Sequence, residues 1–107
     1  MKPIQRQPGK MNKTEAQHAW TLEAMKRTGE ILDYRFDEIG FRLGDNTFYY
    51  PDFFVTFPDH FEIHEVKGGF IREDSLVKFQ AAARLWPQFR WKMHQKTAQG
   101  WKLHKEY

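Results

Sequence analysis

Two strand-like segments joined by a tight turn constrain the fold of this chain more than any other feature. Residues 47–57 are rich in aromatic and β-branched side chains. Residues 61–67 alternate between two sets of side chains that would lie on opposite faces of a strand. Pro58-Asp59, between the two segments, is a turn signal. The pattern therefore predicts a β-hairpin.

The register of this hairpin decides which residues meet. If Phe57 pairs with His60 across the turn, Asp52 lies directly opposite Glu65. A shift of one residue would instead place the two acids on opposite faces of the sheet. Opposed carboxylates with Cβ atoms about 5 Å apart repel each other, so we expect a cation between them. Pro51 also predicts a bend or bulge just before Asp52.

The rest of the chain predicts a helix before the hairpin, and a helix and further strands after it. Asn12 or Thr14 can cap a first helix with an apolar stripe, and Asp74 or Ser75 can begin a second helix that ends before Pro87. Other strands are expected over residues 31–36, 41–43 and 89–93, with a short one near 101–103. The order is helix, three to four strands, helix, strand, and the predicted fold class is α/β.

Length and composition limit the chain to one small core. It has 107 residues, 17% of them aromatic, and no cysteine. Disulfides, thiolate zinc sites and cysteine nucleophiles are therefore excluded. We expect a flexible basic arm over residues 1–12 and a single domain over residues 13–107. No apolar run approaches the length of a membrane span and no charged-then-apolar leader is seen, which predicts a cytoplasmic protein with no membrane partner.

The formal net charge of +3 conceals an uneven distribution. Residues 1–13 contain four Lys or Arg and no acid, and residues 84–107 contain six Lys or Arg and one acid, so the middle has six more acids than bases. An ordinary solvated surface can show such asymmetry. The functional interpretation is a polyanion held by the basic flanks while the central carboxylates hold a cation.

The acids and the lysine of the hairpin together permit phosphodiester chemistry. Asp52 and Glu65 suit a hard divalent cation such as Mg²⁺, and Lys67 leaves the strand on the same face as Glu65. A cation at this place lowers the pKa of a water and offsets charge on phosphate oxygens. Acid-x-Lys alone is very common, however, and Glu65 and Lys67 are equally compatible with an ordinary half-exposed strand.

Glu15 is a further candidate acid. It lies four residues before Ala19 and seven before Leu22, on the apolar stripe of the first predicted helix. The side chain is therefore expected to face inward or towards a cleft. The alternative is an acid that only interacts with the dipole in the first helical turn.

Two other groups of residues are weaker candidates. Asp59 belongs to a second Pro-Asp dipeptide, but it lies at the tip of the predicted hairpin, far from Glu65 along the strand. The five histidines show no convincing zinc spacing. His64 lies on the strand face opposite to that of Glu65, and we interpret it as structural.

The hairpin resembles the signature of the PD-(D/E)XK nuclease superfamily. The matching residues are Tyr50-Pro51-Asp52-Phe53 and Glu65-Val66-Lys67-Gly68. The resemblance is closer to small phage-encoded endonuclease-like proteins, including a junction-resolving endonuclease, and it covers residues 14–87. It implies a restriction-endonuclease-like α-β-β-β-α-β core, in which helices flank a mixed central sheet.

The resemblance also implies roles for the site residues. Asp52, Glu65 and the backbone carbonyl of Val66 would ligate Mg²⁺ or Mn²⁺. Lys67 would position the attacking water. Glu15 would complete the catalytic set, with the option of a second metal ion.

The resemblance further implies DNA as the partner. Lys78 matches a recurring lysine of the phage group and would contact a phosphate, although a solvated helix lysine is an equal alternative. Lys13, Arg90 and Lys92 are candidate DNA contacts from the two basic flanks. The junction-resolving relative acts as a dimer, which predicts a homodimer here.

The predicted function is a metal-dependent endonuclease of phage DNA metabolism that hydrolyses DNA, with branched or junction DNA as the candidate substrate. The alternative is a nucleic-acid-binding module that keeps a nuclease scaffold without turnover, since basic flanks and aromatic side chains would serve binding alone. The clustered carboxylates favour the enzyme, because a pure binder gains nothing from acids that face phosphate.

Overall fold

Two helices pack on a mixed five-stranded sheet, with a three-stranded sheet beside it. The computed structural model describes residues 4–107. The elements in chain order are β1 (Ile4–Gln5), α1 (Lys13–Arg27), β2 (Asp33–Phe36), β3 (Ile39–Gly44), β4 (Thr47–Tyr49), β5 (Phe53–Thr56), β6 (Phe61–Gly68), α2 (Glu73–Leu85), β7 (Arg90–Thr97) and β8 (Gly100–Glu106). The central sheet has the order β2-β5-β6-β7-β8, and the small sheet has the order β1-β3-β4. The predicted α/β class is confirmed.

Strand β6 is the centre of the molecule. It pairs with β5 in the antiparallel sense and with β7 in the parallel sense, and the other strand pairs are antiparallel. Its alternate residues contribute to two separate apolar clusters. Val66 belongs to the cluster that contains Leu22 of α1, whereas Ile63 belongs to the one that contains Phe79 of α2 and Trp91. Side chains on the two faces of β6 therefore pack into different apolar clusters.

The predicted register of the hairpin is confirmed. Phe53 pairs with His64 and Thr56 with Phe61, and the N–H of Phe57 donates to the carbonyl of His60 at 2.9 Å. The same register places Asp52, the residue before β5, across from Glu65.

Helix α1 begins at the predicted cap. The side chain of Asn12 accepts a hydrogen bond from the Glu15 N–H, and the Glu15 carboxylate accepts one from the Asn12 N–H, each at 2.8 Å. This capping box satisfies two backbone donors that would otherwise lack partners. Gly29, at φ +83°, follows the helix end, where a left-handed residue favours glycine.

Helix α2 begins slightly earlier than predicted. Its N-cap is Arg72, which makes no capping hydrogen bond through its side chain. Asp74 lies inside the first turn instead, where its carboxylate accepts from the Ser75 N–H at 3.0 Å. Over residues 4–107, neither helix has the length and apolar character needed to cross a membrane.

The segment 47–57 is divided between the two sheets and is not one interrupted strand. The chain leaves the small sheet after Tyr49 and enters the central sheet at Phe53. Pro51 lies between them and cannot donate to a ladder. The ring of Tyr50 packs on Gly40, where an added Cβ would lie 2.3 Å from the Tyr50 Cε1 atom. This packing fixes the backbone just before Asp52.

Residues 4–9, within the flexible basic arm predicted over residues 1–12, contact the rest of the molecule. Strand β1 pairs with β3, Arg6 forms an ion pair with Asp37, and the Gly9 N–H donates to the Asp37 carboxylate at 2.8 Å. The Arg6 guanidinium also lies 3.8 Å from the centre of the Tyr50 ring. A two-residue strand carries no periodicity that could predict it. Residues 1–3 of the predicted arm lie outside the described residues.

Candidate active site

The predicted acids meet where the β5–β6 hairpin opens. Glu65 is buried, and its Oε1 accepts hydrogen bonds from the Tyr49 hydroxyl at 2.9 Å and the Asp52 N–H at 3.3 Å. The Lys67 Nζ lies 3.2 Å from the Glu65 Oε2. The Asp52 Oδ2 accepts from the Val66 N–H at 2.7 Å. Asp52, Glu65 and Lys67 are thus brought together, as the hairpin register predicted.

The site is short of positive charge. Burial, followed by the charge of Glu65, raises the pKa of Asp52 to about 9. Burial also raises the pKa of Glu65, although Lys67 and the Tyr49 hydroxyl act in the opposite direction. Burial, followed by the charges of Glu65 and Asp52, raises the pKa of the Tyr49 hydroxyl. The Lys67 ammonium pairs with Glu65, and a bound cation would further stabilise the ionised forms of both acids.

The start of α1 lies beside the end of β6 and completes this group. A Cβ on Gly68 would lie 3.1 Å from the Thr14 Oγ1, so the helix approaches the strand closely. Glu15 caps the helix, and its carboxylate is also near enough to Asp52 to raise the pKa of that acid. Glu15 therefore lies near Asp52 and also caps the first turn of α1.

The four predicted DNA contacts lie on three different elements. Lys13 is exposed at the start of α1, beside the acids, and Lys78 is exposed in the second turn of α2. Arg90 and Lys92 lie at the start of β7, which is aligned with Glu62 and His64, nearer the hairpin turn than Glu65 is.

Lys92 and Arg90 of β7 both have partners within the chain. The Lys92 Nζ lies 3.2 Å from the Glu62 Oε2, and Arg90 Nη1 lies 3.4 Å from the Nε2 of His60. The Glu62 carboxylate is buried, and the Lys92 ammonium offsets its charge. Lys92 stays a predicted DNA contact, and in this structure its ammonium is paired with Glu62.

Asp59, the acid of the second Pro-Asp dipeptide, lies at the hairpin tip. Its side chain is largely exposed and accepts a hydrogen bond from the His60 Nδ1 at 2.6 Å. It is separated from the acid site by the length of β6.

Sequence reasoning missed a cluster of three histidines on the opposite face of the central sheet. His18 of α1, His64 of β6 and His94 of β7 offer ring nitrogens that all lie within 4.8 Å of one another. Two signals pointed to it: His18 precedes Leu22 by one helical turn, and His94 shares the strand face of Lys92. The prediction that His64 faces away from Glu65 is confirmed. The histidines do, however, form a group that could hold a metal ion, which their spacing in the sequence did not indicate.

Within residues 4–107, no other group of three such side chains is equally close. The acids Glu15, Asp52 and Glu65 are therefore more loosely arranged than the histidines. A loose set of carboxylates suits Mg²⁺, which keeps several of its own waters. All side-chain donors of this set are oxygens, and the raised pKa values of Asp52 and Glu65 show an unmet demand for positive charge. The residues fit a hard divalent cation. The Val66 carbonyl as a ligand stays a prediction from the resemblance.

Comparison with known proteins finds no match for this chain among family models, curated proteins or solved structures.

Proposed function

We propose that this chain is a metal-dependent endonuclease of the PD-(D/E)XK type that hydrolyses DNA phosphodiester bonds. The observation that carries the proposal is the meeting of Asp52, Glu65 and Lys67 at one end of a hairpin, with the Lys67 Nζ 3.2 Å from the Glu65 Oε2. A buried carboxylate at Glu65 and a half-buried one at Asp52, short of neutralising cations, are an unfavourable arrangement for structure alone. They are suitable for holding a cation against a phosphate.

The topology supports this proposal. Helix α1 is followed by the antiparallel strands β2, β5 and β6, and α2 then leads to β7, which lies parallel to β6. The series α-β-β-β-α-β of the restriction-endonuclease-like core can be traced through these elements. Strands β3 and β4 would then be an insertion before β5, and β8 an addition at the sheet edge.

Each side chain of the site has a role that its contacts favour. The Tyr49 hydroxyl and the Asp52 N–H hold one oxygen of Glu65, so this carboxylate has a fixed orientation. Lys67 is only half-buried, and its ammonium can turn from Glu65 towards a water or a phosphate oxygen. In that position it orients the attacking water and offsets the charge that develops on the phosphate.

Asp52, Glu65 and the Val66 carbonyl would hold Mg²⁺ or Mn²⁺, with Glu15 as a further acid beside Asp52. The bound cation supplies Lewis-acid stabilisation of phosphate charge and a lowered pKa of a coordinated water. Ionisation of Asp52 and binding of the cation are therefore coupled in this chain.

Several exposed side chains near the site favour a nucleic acid as the substrate. Phe70, two residues beyond the end of β6, is 88% exposed and could stack on an unpaired base. Lys13 is exposed beside the acids, and Lys78 is exposed on the helix that follows Phe70. A ring available for stacking suits branched DNA, whose bases are less constrained than those of a duplex. Junction preference and a homodimer remain expectations from the resemblance.

The proposal is tested by a cleavage assay on supercoiled, linear and four-way-junction DNA with Mg²⁺, Mn²⁺ or a chelator. We expect cleavage only with a metal ion, and a loss of about 100-fold or more in Lys67→Ala and Asp52→Asn. Asp59→Asn is a matched control, because it changes the other Pro-Asp dipeptide at the exposed hairpin tip. It should cleave like the parent.

The binding-only alternative gives a different result in the same samples. Metal-independent or absent cleavage, with Lys67→Ala and Asp52→Asn binding DNA like the parent, would contradict the enzyme and favour the binding module. Sedimentation of the parent with and without junction DNA measures whether it forms a homodimer.

A further inference from the structure

The three histidines lie on the face of the central sheet opposite to the Glu65 side chain. His18 comes from α1, His64 from β6 and His94 from β7, so the cluster joins three elements that are distant in sequence. His64 and Glu65 are consecutive residues whose side chains point to opposite faces. The Glu65 side chain and the histidine cluster therefore lie on opposite faces of β6.

The ring nitrogens are arranged to converge. The His18 Nε2 and the His64 Nδ1 are 2.9 Å apart, and the His94 ring centre lies 4.6 Å from that of His18 and 4.7 Å from that of His64. Two nitrogens bound to one tetrahedral Zn²⁺ at 2.0–2.1 Å would lie about 3.4 Å apart. Side-chain movements of about 1 Å would satisfy that geometry.

A carboxylate behind His64 fixes its tautomer. The His64 Nε2 donates to the Glu62 Oε1 at 2.8 Å, so the His64 Nδ1 presents its lone pair to the cluster. Glu62 is itself held by the His60 Nε2 at 2.7 Å and the Lys92 Nζ at 3.2 Å. A carboxylate–histidine pair of this kind is the usual outer support of a metal-binding imidazole.

The cluster also contains an unmet polar group. The His94 Nε2 is buried and has no hydrogen-bond partner among the described residues. A buried polar atom without a partner costs free energy, which a ligand bound at this nitrogen would recover.

We propose that His18, His64 and His94 form a three-histidine binding site for a borderline transition-metal ion such as Zn²⁺, distinct from the acid site. Imidazole nitrogens suit Zn²⁺, Co²⁺ or Ni²⁺ and are poor ligands for Mg²⁺. The fourth position would be left to a water. Such an ion would fasten α1 to β6 and β7, and it would replace the His18–His64 hydrogen bond with two metal–nitrogen bonds.

The test is a Zn²⁺ titration of the full chain after chelator treatment, carried out without DNA and in excess Mg²⁺. We expect one Zn²⁺ per chain that Mg²⁺ does not displace. In His18→Gln and His94→Gln, the glutamine side chain reaches a similar position but is a poor metal ligand. Each variant should therefore bind Zn²⁺ about 100-fold or more weakly than the parent. Glu62→Gln should weaken it by about 10- to 100-fold through His64.

Two controls separate this site from the rest of the chain. His104→Gln removes a histidine outside the cluster, and Asp52→Asn removes an acid of the other site. Both should bind Zn²⁺ like the parent. Stoichiometric binding that survives both His18→Gln and His94→Gln would overturn the proposal, as would no binding by the parent.

If a histidine variant does not fold, the proposal can still be tested on the parent protein with Co²⁺ in place of Zn²⁺. The visible spectrum of the parent should show the intense absorption of four- or five-coordinate Co²⁺ with nitrogen ligands. A weak spectrum typical of hexa-aqua Co²⁺ would overturn the proposal. Because no readout involves cleavage, failure here leaves the nuclease proposal standing, and failure of cleavage leaves this one standing.

Discussion

Replacing Asp52 with asparagine should stabilise the metal-free protein while it abolishes the proposed activity. Burial and the charge of Glu65 raise the pKa of Asp52 to about 9, from an ordinary 3.8. The unfolded chain releases this proton easily and the folded protein does not. The contribution of Asp52 to the free energy of unfolding is therefore fully present below pH 3.8 and is lost as the pH rises towards 9.

The magnitude follows from these two pKa values. Each pH unit between 3.8 and 7 lowers the free energy of unfolding by about 1.4 kcal/mol. The largest loss of stability that Asp52 can cause at pH 7 is therefore about 4 kcal/mol. Solvent reaches part of the Asp52 side chain and screens it, so we expect a gain of about 2 kcal/mol in Asp52→Asn. Asparagine has no proton to lose, and its amide oxygen can still accept from the Val66 N–H.

The assay is urea unfolding with a chelator, followed by tryptophan fluorescence at several pH values. The advantage of Asp52→Asn should grow from pH 5 to pH 8 and shrink towards zero near pH 4. Added Mg²⁺ should stabilise the parent and leave Asp52→Asn unchanged. Asp59→Asn, at the exposed hairpin tip, should show no such gain. An advantage that is absent, or equal at pH 5 and pH 8, would refute the electrostatic reasoning.

Three further predictions concern other parts of the molecule. Phe70→Ala should weaken DNA binding by about tenfold or more in a fluorescence anisotropy titration, without a change in Tm, because the ring is 88% exposed; unchanged affinity would contradict a stacking role. Gly40→Ala should lower the free energy of unfolding by about 1–3 kcal/mol, because the new Cβ would meet the Tyr50 ring, whereas Gly44→Ala meets no atom within 4 Å and should show no comparable clash penalty. Glu62→Gln should cost about 3 kcal/mol at pH 7. Burial alone would raise the pKa of Glu62, but hydrogen bonds from His64 and His60 lower it to about 2. The difference in free energy of unfolding between the parent and Glu62→Gln should therefore narrow as the pH falls from 4.5 towards 2. A difference that stays constant over this pH range would argue against this reasoning.

Local patterns predicted the hairpin and the first helix well. The two-residue turn at Pro58-Asp59 fixes an even offset, so alternation alone brings Asp52 opposite Glu65. Asn12 and Glu15 form a capping box that depends on residues three apart. In both cases the decisive contacts lie close together in the sequence.

Contacts between distant segments were not predictable in the same way. The pairing of Ile4 with Gly40 involves too few residues to show a period. The division of segment 47–57 depends on where Tyr50 packs, and Pro51 indicated only that the strand would be irregular. The histidine cluster requires the helix stripe that contains His18 and the parallel alignment of β6 with β7, which no single segment encodes.

The placement of both sites on β6 has a thermodynamic basis. Buried carboxylates and partly satisfied imidazoles are unfavourable, and they are tolerated where other contacts overdetermine the backbone. Strand β6 is such an element, because it has hydrogen-bonded neighbours on both sides and contributes side chains to both apolar clusters. Relieving one unfavourable group, as in Asp52→Asn, should therefore change the free energy of unfolding and leave the fold unaltered. The same rigidity holds Glu65 and His64 in fixed and opposite directions, so a ligand at either proposed site would meet preorganised groups.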